Sequence, residues 1–489
     1  MSGLPPPAAG CASCAARDRQ IAALQEENAE LARRLARLER IVSRHSGNSS
    51  LPPSSDDVLP GRGKPEGRQH GRGGARRKRG KQPGAPGRWL GWVDAPDETV
   101  CHRPVGCCAC GADLAAAGDV RVERSHQVHD LPEVSVQVTQ HEVWRVRCGC
   151  GREHVGTLPA GVPATPSSYG PGLKALVVYL IVYQHVPVER CVQLVADLTG
   201  GTAPSAGFVH GMLARCAAVL AEVVTLIKTA ITLAAVAGFD ETTIRCGPAG
   251  QKKYVLSGST ETAVAYHLGG RDLGSFTAFG ILPAFAGIAV HDRYACYFHQ
   301  GWVSLAGHQV CLAHLVRDFE DAAGSWPDAI WPVQAQRALR GLIRAWHAAR
   351  GQGLPEVPAP ARDPLIKEFR HAVLAGLADI PRIPGPKSST AQHPGRDLLE
   401  FCSGRQADVT RFCYDTRIWP TNNISERDLR PAKTQQKISG RLTSEDITQD
   451  RLDIRSYIDT ARKHGINVMT ALRAAVSGTP WAPPLPAPT

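Results

Sequence analysis

The stretch Leu233-Ala-Ala-Val-Ala-Gly-Phe-Asp240-Glu-Thr-Thr-Ile-Arg-Cys246 sets the reading of the fold. Its apolar run from Leu233 to Phe239 predicts a strand that ends on Asp240, and Thr242–Cys246 predicts a second, rich in β-branched residues. The same pattern returns at Gly287-Ile-Ala-Val-His-Asp292, where Ile288 to Val290 leads to Asp292. A third acid, Glu426, stands in Thr421-Asn-Asn-Ile-Ser-Glu-Arg-Asp-Leu-Arg-Pro431, at the start of a predicted helix. Two strand-end carboxylates and one on a helix make the donor set that holds two Mg²⁺ ions against a phosphodiester.

Each acid also has a local reading. Asn423 and Glu426 are spaced as the N-cap and N3 of a capping box. Glu426 and Arg430 form an i,i+4 pair worth only ~0.3–0.5 kcal/mol on a helix surface. Asp292 precedes Arg293 as a turn acid would, and Glu241 is a neighbouring rival to Asp240. Around the acids, Tyr254–Gly258 and Ala263–Leu268 predict further strands, with a helix near Ser275–Phe279. From 312 to 411 the pattern is mostly helical, broken by loops at 351–363 and 381–395.

The rest of the chain points to a polyanion. At 489 residues it is long enough for about three domains. Its net charge of +11 and pI near 9.0 suit a nucleic-acid partner. Between Gly61 and Lys81 nine Lys or Arg stand against the single acid Glu66. No apolar stretch reaches the roughly 20 residues that span a bilayer, and no secretory signal is visible. Fifteen cysteines, an odd number along a long chain, fit a reducing cytoplasm better than a disulfide framework.

From about Arg17 to Arg44, Ile21, Leu24, Asn28, Leu31, Leu35, Leu38 and Val42 alternate spacings of three and four. That seam predicts a coiled-coil dimer, with Asn28 at an a position fixing register. Residues 46–98 are a linker by composition, and their cluster Arg76-Arg77-Lys78-Arg79 is suited to neutralising phosphates. Cys107-Cys108-Ala109-Cys110 and Cys148-Gly149-Cys150 flank a predicted strand hairpin, Glu133–Arg147. The four thiolates of Cys107, Cys110, Cys148 and Cys150 suit a structural Zn²⁺, although Cys108 competes with Cys107. Gly172–Gln184, Val188–Leu198 and Ser205–Lys228 predict three helices, a candidate helix-turn-helix reader. Cys311 and His314, one helical turn apart, are a weaker metal pair. The Pro-rich tail from Thr479 is expected to be disordered.

The order of these features resembles the DDE transposases of the insertion sequence 66 family over nearly the whole chain. The resemblance rests on Asn48-Ser-Ser-Leu-Pro-Pro-Ser-Ser-Asp56 after the zipper, Lys81-Gln-Pro-Gly-Ala-Pro-Gly87 and the cysteine knuckles. It continues through Val186-Pro-Val-Glu-Arg190, Asp240-Glu-Thr242, Gly287–Asp292, Cys311-Leu-Ala-His314 and Asn422–Pro431. It implies a catalytic triad of Asp240, Asp292 and Glu426 holding two Mg²⁺ (or Mn²⁺) ions, which cleaves element ends and joins the 3′-hydroxyls to target DNA. Arg427, Arg430 and Lys437 are candidate DNA contacts beside it. Where the family often has two arginines after the His, this chain has Val316-Arg317.

The implied fold class is multidomain α+β. It comprises a leucine-zipper-like coiled coil (1–45), the basic linker (46–98), a zinc-knuckle module (99–160) and a helical module (161–230). An RNase H-like core follows (231–440, helical insertion about 312–411), then C-terminal helices and tail (441–489). The implied partners are double-stranded DNA at terminal inverted repeats and targets, a second copy of the chain, and companion proteins of the element, in a bacterial cytoplasm beside the nucleoid. A silent DNA-binding regulator, or a nuclease that never joins ends, would share this architecture.

Overall fold

The structure, a computed structural model, describes residues 19–28, 31, 35 and 90–485, apart from 117, 119, 133, 160 and 386–392. Leu38, Val42, most of the basic linker with Arg76, Arg77, Lys78 and Arg79, and the last four residues lie outside the described residues. The chain divides into two compact units, 61–138 and the remainder. Residues 19–28 form helix α1, on which Ile21 and Leu24 are exposed; Leu31 and Leu35 are helical and exposed as well.

In the larger unit, strands β1 (Arg145–Arg147) and β2 (Glu153–Val155) pair antiparallel, Arg145 opposite Val155. The expected hairpin within Glu133–Arg147 is thus corrected. The chain reverses at Cys148–Gly151, where Gly151 takes φ +88°, a conformation open to glycine at no steric cost. Helices α2 (Pro171–Val178), α3 (Val188–Thr199) and α4 (Ala206–Thr232) follow, α2 continuing as a π-helical turn to Tyr183. By length and composition α4 is apolar enough to cross a membrane, contrary to the expectation that no stretch is. Eleven of its residues, from Val209 to Ile231, are buried in the core instead.

The central sheet contains β3 (Val236–Ile244), β4 (Lys253–Ser259), β5 (Val264–Gly269), β6 (Ile288–His291) and β7 (Gly307–Val310), with α5 (Leu273–Phe279) between β5 and β6. Its order is β5-β4-β3-β6-β7; β4 runs antiparallel to both neighbours, while β3, β6 and β7 are parallel. Two corrections arise here. The first strand begins at Val236 rather than Leu233, because the apolar face of α4 continues through Ala230 and Ile231. The break expected after Asp240 does not occur: no Gly or Pro follows before Gly247, and Thr242-Thr243-Ile244 extend the same strand. Strand β7 was not foreseen.

Alternation along β3 sorts its side chains. Ala237 and Phe239 join α4 and the C-terminal helices in one cluster, whereas Val236 joins Val290, Val310 and the helices after β7 in another. Those helices are α6 (Leu312–Ser325), α7 (Trp331–Gly351), α8 (Ala359–Asp379), α9 (Pro394–Gly404) and α10 (Gln406–Thr410). α8 opens at Ala359, inside the stretch expected as loop. The chain then returns through α11 (Asn423–Ser439), α12 (Glu445–Lys463) and α13 (Val468–Val476). α12 seals the sheet edge at β5. Gln449, Ser456 and Thr460 accept hydrogen bonds from the N–H groups of Leu268, Tyr266 and Val264 at 2.8, 3.0 and 3.1 Å. The tail is ordered further than expected, since Trp481 N–H donates to the Tyr457 hydroxyl and its ring lies 5.0 Å from that of His464.

Two half-buried imidazoles add to the acid sensitivity of this core. Burial, aided by the charges of Arg455 and Arg451, pushes His185 down to about 4; burial and Lys228 do the same to His267. Both stay neutral in the folded chain while the unfolded chain takes up protons below its ordinary pKa of about 6.5. Stability is therefore expected to fall as pH drops from about 6.5 to about 4. Thermal melting across that window checks it, and His185→Gln/His267→Gln should flatten the slope; an unchanged slope puts the sensitivity elsewhere.

Candidate active site

The sheet register brings two of the acids together. Gly238 of β3 pairs with Val290 of β6, so Asp240 and Asp292 each lie two residues beyond one rung of a parallel pair. Asp240 therefore sits within β3, while Asp292 follows the last residue of β6. The Asp240 carboxylate accepts the Glu241 N–H at 2.9 Å, and Asp292 Oδ1 accepts the Tyr294 N–H at 2.8 Å.

Glu426 arrives from α11, and the strand itself seats that helix. Asn422 donates its side-chain amide to Phe239 O (2.8 Å) and its N–H to Cys311 Sγ (3.2 Å). A Cβ on Gly238 would lie 2.4 Å from Ser425 Oγ and 2.8 Å from Asn422 Oδ1, so only glycine permits this approach. The expected capping box does not form. The helix begins at Asn423, its N-cap is Asn422, and that side chain is spent on β3 instead. Nor does Glu426 turn to Arg430: its Oε1 lies 4.0 Å from both His314 Nδ1 and Arg317 Nη2 of α6.

The acids act on one another electrically. Burial holds Asp240 well above the usual carboxylate range, reinforced by Glu241, Asp292 and Glu426 and opposed by His314. Burial and then Asp292 raise Glu241, against the pull of Arg271 and the Tyr297 hydroxyl. Burial works against a charge on His314, yet the Cys311 sulfur and Glu426 outweigh it and hold the imidazole up to about 9. His314 Nδ1 and Glu426 Oε1 are buried without a hydrogen-bond partner. Ligand atoms of Cys311, His314 and Glu426 lie within 4.8 Å of one another, a grouping able to hold a metal ion.

Several participants carry little sequence signal. Arg271, in the loop after β5, donates from Nε to Glu241 Oε1 at 2.6 Å, and its Nη2 stands 3.7 Å from Asp292 Oδ2. Its guanidinium lies 4.0 Å from the centre of the Tyr294 ring, and Tyr297 donates its hydroxyl to Glu241 Oε2. Gly238 alone was detectable beforehand, as a glycine interrupting a strand pattern. Arg427, Arg430 and Lys437 are exposed on α11.

The knuckle cysteines fall in separate units: Cys107, Cys108 and Cys110 in 61–138, Cys148 and Cys150 in the other; all five are exposed. The two turns have the same backbone pattern. Gly111 N–H donates to Cys108 O and Cys108 N–H to Ala112 O, both at 2.8 Å; Gly151 to Cys148 and Cys148 to Arg152 repeat it at 2.8 and 2.7 Å. By that pattern Cys108, not Cys107, corresponds to Cys148. Hydrogen bonds from the backbone and side chain of Cys110 lower the Cys108 thiol pKa, and Cys150 does the same for Cys148.

A family model described as Transposase IS66 family matches residues 166–449, from just before α2 into α12. No curated protein matches the chain.

Proposed function

The chain belongs to the transposase IS66 family, and from that premise we propose that it cleaves and joins DNA through Asp240, Asp292 and Glu426. The observation that carries this is geometric: the register of β3 with β6 puts Asp240 and Asp292 at neighbouring strands, and Asn422 and Ser425 seat the start of α11, which bears Glu426, on Gly238 and Phe239 of β3. The sheet order, with its second strand antiparallel, supports an RNase H-like core, and α6–α10 are its helical insertion.

Family membership implies a divalent metal, and the residues suit one. A buried, unpartnered Glu426 oxygen and an Asp240 whose pKa is raised by burial and by neighbouring acids are groups that a cation would satisfy. Asp240, Asp292 and Glu426 would hold two Mg²⁺ or Mn²⁺ ions, which supply charge neutralisation and activation of the attacking oxygen. In cleavage, a water oxygen forms a bond to the scissile phosphorus as the bond to the 3′-oxygen breaks, leaving a 3′-hydroxyl. In joining, that hydroxyl attacks a target phosphodiester, and one P–O bond replaces another. The carboxylates would serve by holding those ions in place; no covalent protein intermediate is involved.

DNA is held by the arm at Arg76–Arg79 and by the exposed Arg427, Arg430 and Lys437 on the helix that carries Glu426. Binding should weaken steeply with salt. The exposed seam of Ile21, Leu24, Leu31 and Leu35 supports pairing with a second copy. Cysteine spacing along the sequence, rather than any placement of the two units, supports a structural Zn²⁺ on thiolates drawn from Cys110, Cys148, Cys150 and either Cys107 or Cys108. Metal analysis is expected to find about one Zn per chain, in line with a four-thiolate site. Cys148→Ser should lose it; an unchanged content removes zinc from the account.

The functional test separates the products. Full-length protein with element-end DNA and Mg²⁺ or Mn²⁺ is expected to give nicked ends and joined strands. Hydrolysis without joining would make it a nuclease; binding without cutting would make it a silent regulator.

A further inference from the structure

The Glu241–Arg271 pair lies at the acid cluster without belonging to the triad. Glu241 is buried, and both its carboxylate oxygens are engaged, by Arg271 and by Tyr297. It is therefore poorly placed to be a fourth metal ligand. Arg271 is different. One donor is fixed on Glu241, one face of its guanidinium lies on Tyr294, and the Tyr294 hydroxyl donates to its backbone carbonyl. The side chain still keeps 39% of its surface open. Its Nη2 stands 3.7 Å from Asp292, beyond hydrogen-bond range. A guanidinium offers five donors in a rigid fork that matches phosphate oxygens.

We propose that Arg271 is a further catalytic residue, its Nη donors contacting a non-bridging oxygen of the scissile phosphate beside Asp292, and that Glu241 is the positioning residue that aims it. The inference rests on the three-acid reading above. Negative charge concentrates on those oxygens during displacement, so a preorganised donor there lowers the barrier without reorganising at the moment of reaction. Tyr294 and Glu241 provide the preorganisation: a ring face sets the guanidinium plane, and a buried carboxylate fixes its rotation.

The competing explanation is that Arg271 only neutralises Glu241 and Asp292. Lysine separates the two, since it keeps the charge and loses the fork and the stacking plane. Full-length protein is assayed by single-turnover cleavage of element-end DNA at saturating DNA, over a series of Mn²⁺ concentrations, with thermal melting to check folding. For Arg271→Lys the rate is expected to fall about 100-fold, the cost of losing one such donor. DNA affinity and half-saturating Mn²⁺ should stay near the wild-type values. Glu241→Gln still accepts from Nε and should lose less. Glu241→Ala should match Arg271→Ala, with no additional loss in the double variant, because both act through one group.

Neutralisation alone predicts otherwise. Arg271→Lys would cut at close to the wild-type rate, and Arg271→Ala would need less Mn²⁺ and recover its rate at metal saturation; either outcome overturns the proposal. Asp240→Asn is run alongside. If it cuts like wild type, the three-acid reading itself fails; if it is dead while Arg271→Lys is fully active, only Arg271 is removed.

Discussion

Replacing Asp240 by Asn is expected to lower metal-dependent cleavage of element-end DNA by on the order of 10³-fold or more, as loss of one member of a group acting as a unit does. The same substitution should raise the melting temperature of the metal-free protein. Asp240 is held above the usual carboxylate range by burial and by Glu241, Asp292 and Glu426. A carboxyl with a raised folded-state pKa costs stability as soon as pH passes its ordinary unfolded value of about 3.9, because the unfolded chain then releases a proton that folding must take back, and Asn has no such proton. Asn also retains an oxygen able to accept the Glu241 N–H. Mn²⁺ should stabilise the wild type more than the variant, because binding to the folded state alone adds stability. The gap in melting temperature is thus expected to narrow or reverse when metal is added. Scanning fluorimetry with and without Mn²⁺, beside a nicking assay, reads both effects. Equal nicking by the two proteins would falsify the assignment.

Gly238→Ala should damage the site from two residues away. The added methyl would lie 2.4 Å from Ser425 Oγ and 2.8 Å from Asn422 Oδ1, and both neighbours are buried. Overpacking of this kind costs about 1–3 kcal/mol. The relief available is for the start of α11 to move off β3, which weakens the bond from Asn422 to Phe239 O and carries Glu426 away from Asp240. Misplacing a reacting group by about 1 Å costs roughly 100-fold in rate. The variant should therefore melt earlier and cut far more slowly, whereas Gly172→Ala, which meets nothing within 4 Å, should do neither. Adding Ser425→Ala removes the closest atom and should restore part of both. A fully active Gly238→Ala protein would show that the contact does not set the position of Glu426.

The strands near Asp240 and Asp292 could be read from the sequence because short apolar runs leading to an acid are local signals. Their ends were less legible. The helix before Val236 continues because its buried face packs on distant α12 and α13, and no window around Leu233 contains that information. Glu426 is the clearest case. Read locally it belonged to a capping box or a surface pair, and both are absent because Asn422 and Glu426 face partners from β3 and α6 instead. Arg271, Tyr294 and Tyr297 were missed for the same reason: each is ordinary in its own segment.

By itself the sequence determined the inventory: an apolar seam of three-and-four spacing, a basic stretch, two cysteine clusters, strands near two acids, and a helix bearing a third. Those follow from periodicity, composition and spacing, which act over a few residues. Tertiary structure alone decided which acids share a field, which oxygen is left without a partner, and that both Glu241 oxygens are taken by Arg271 and Tyr297. Coulomb interactions and desolvation depend on distance in space, and register across β3 and β6, with α11 seated on Gly238, sets those distances.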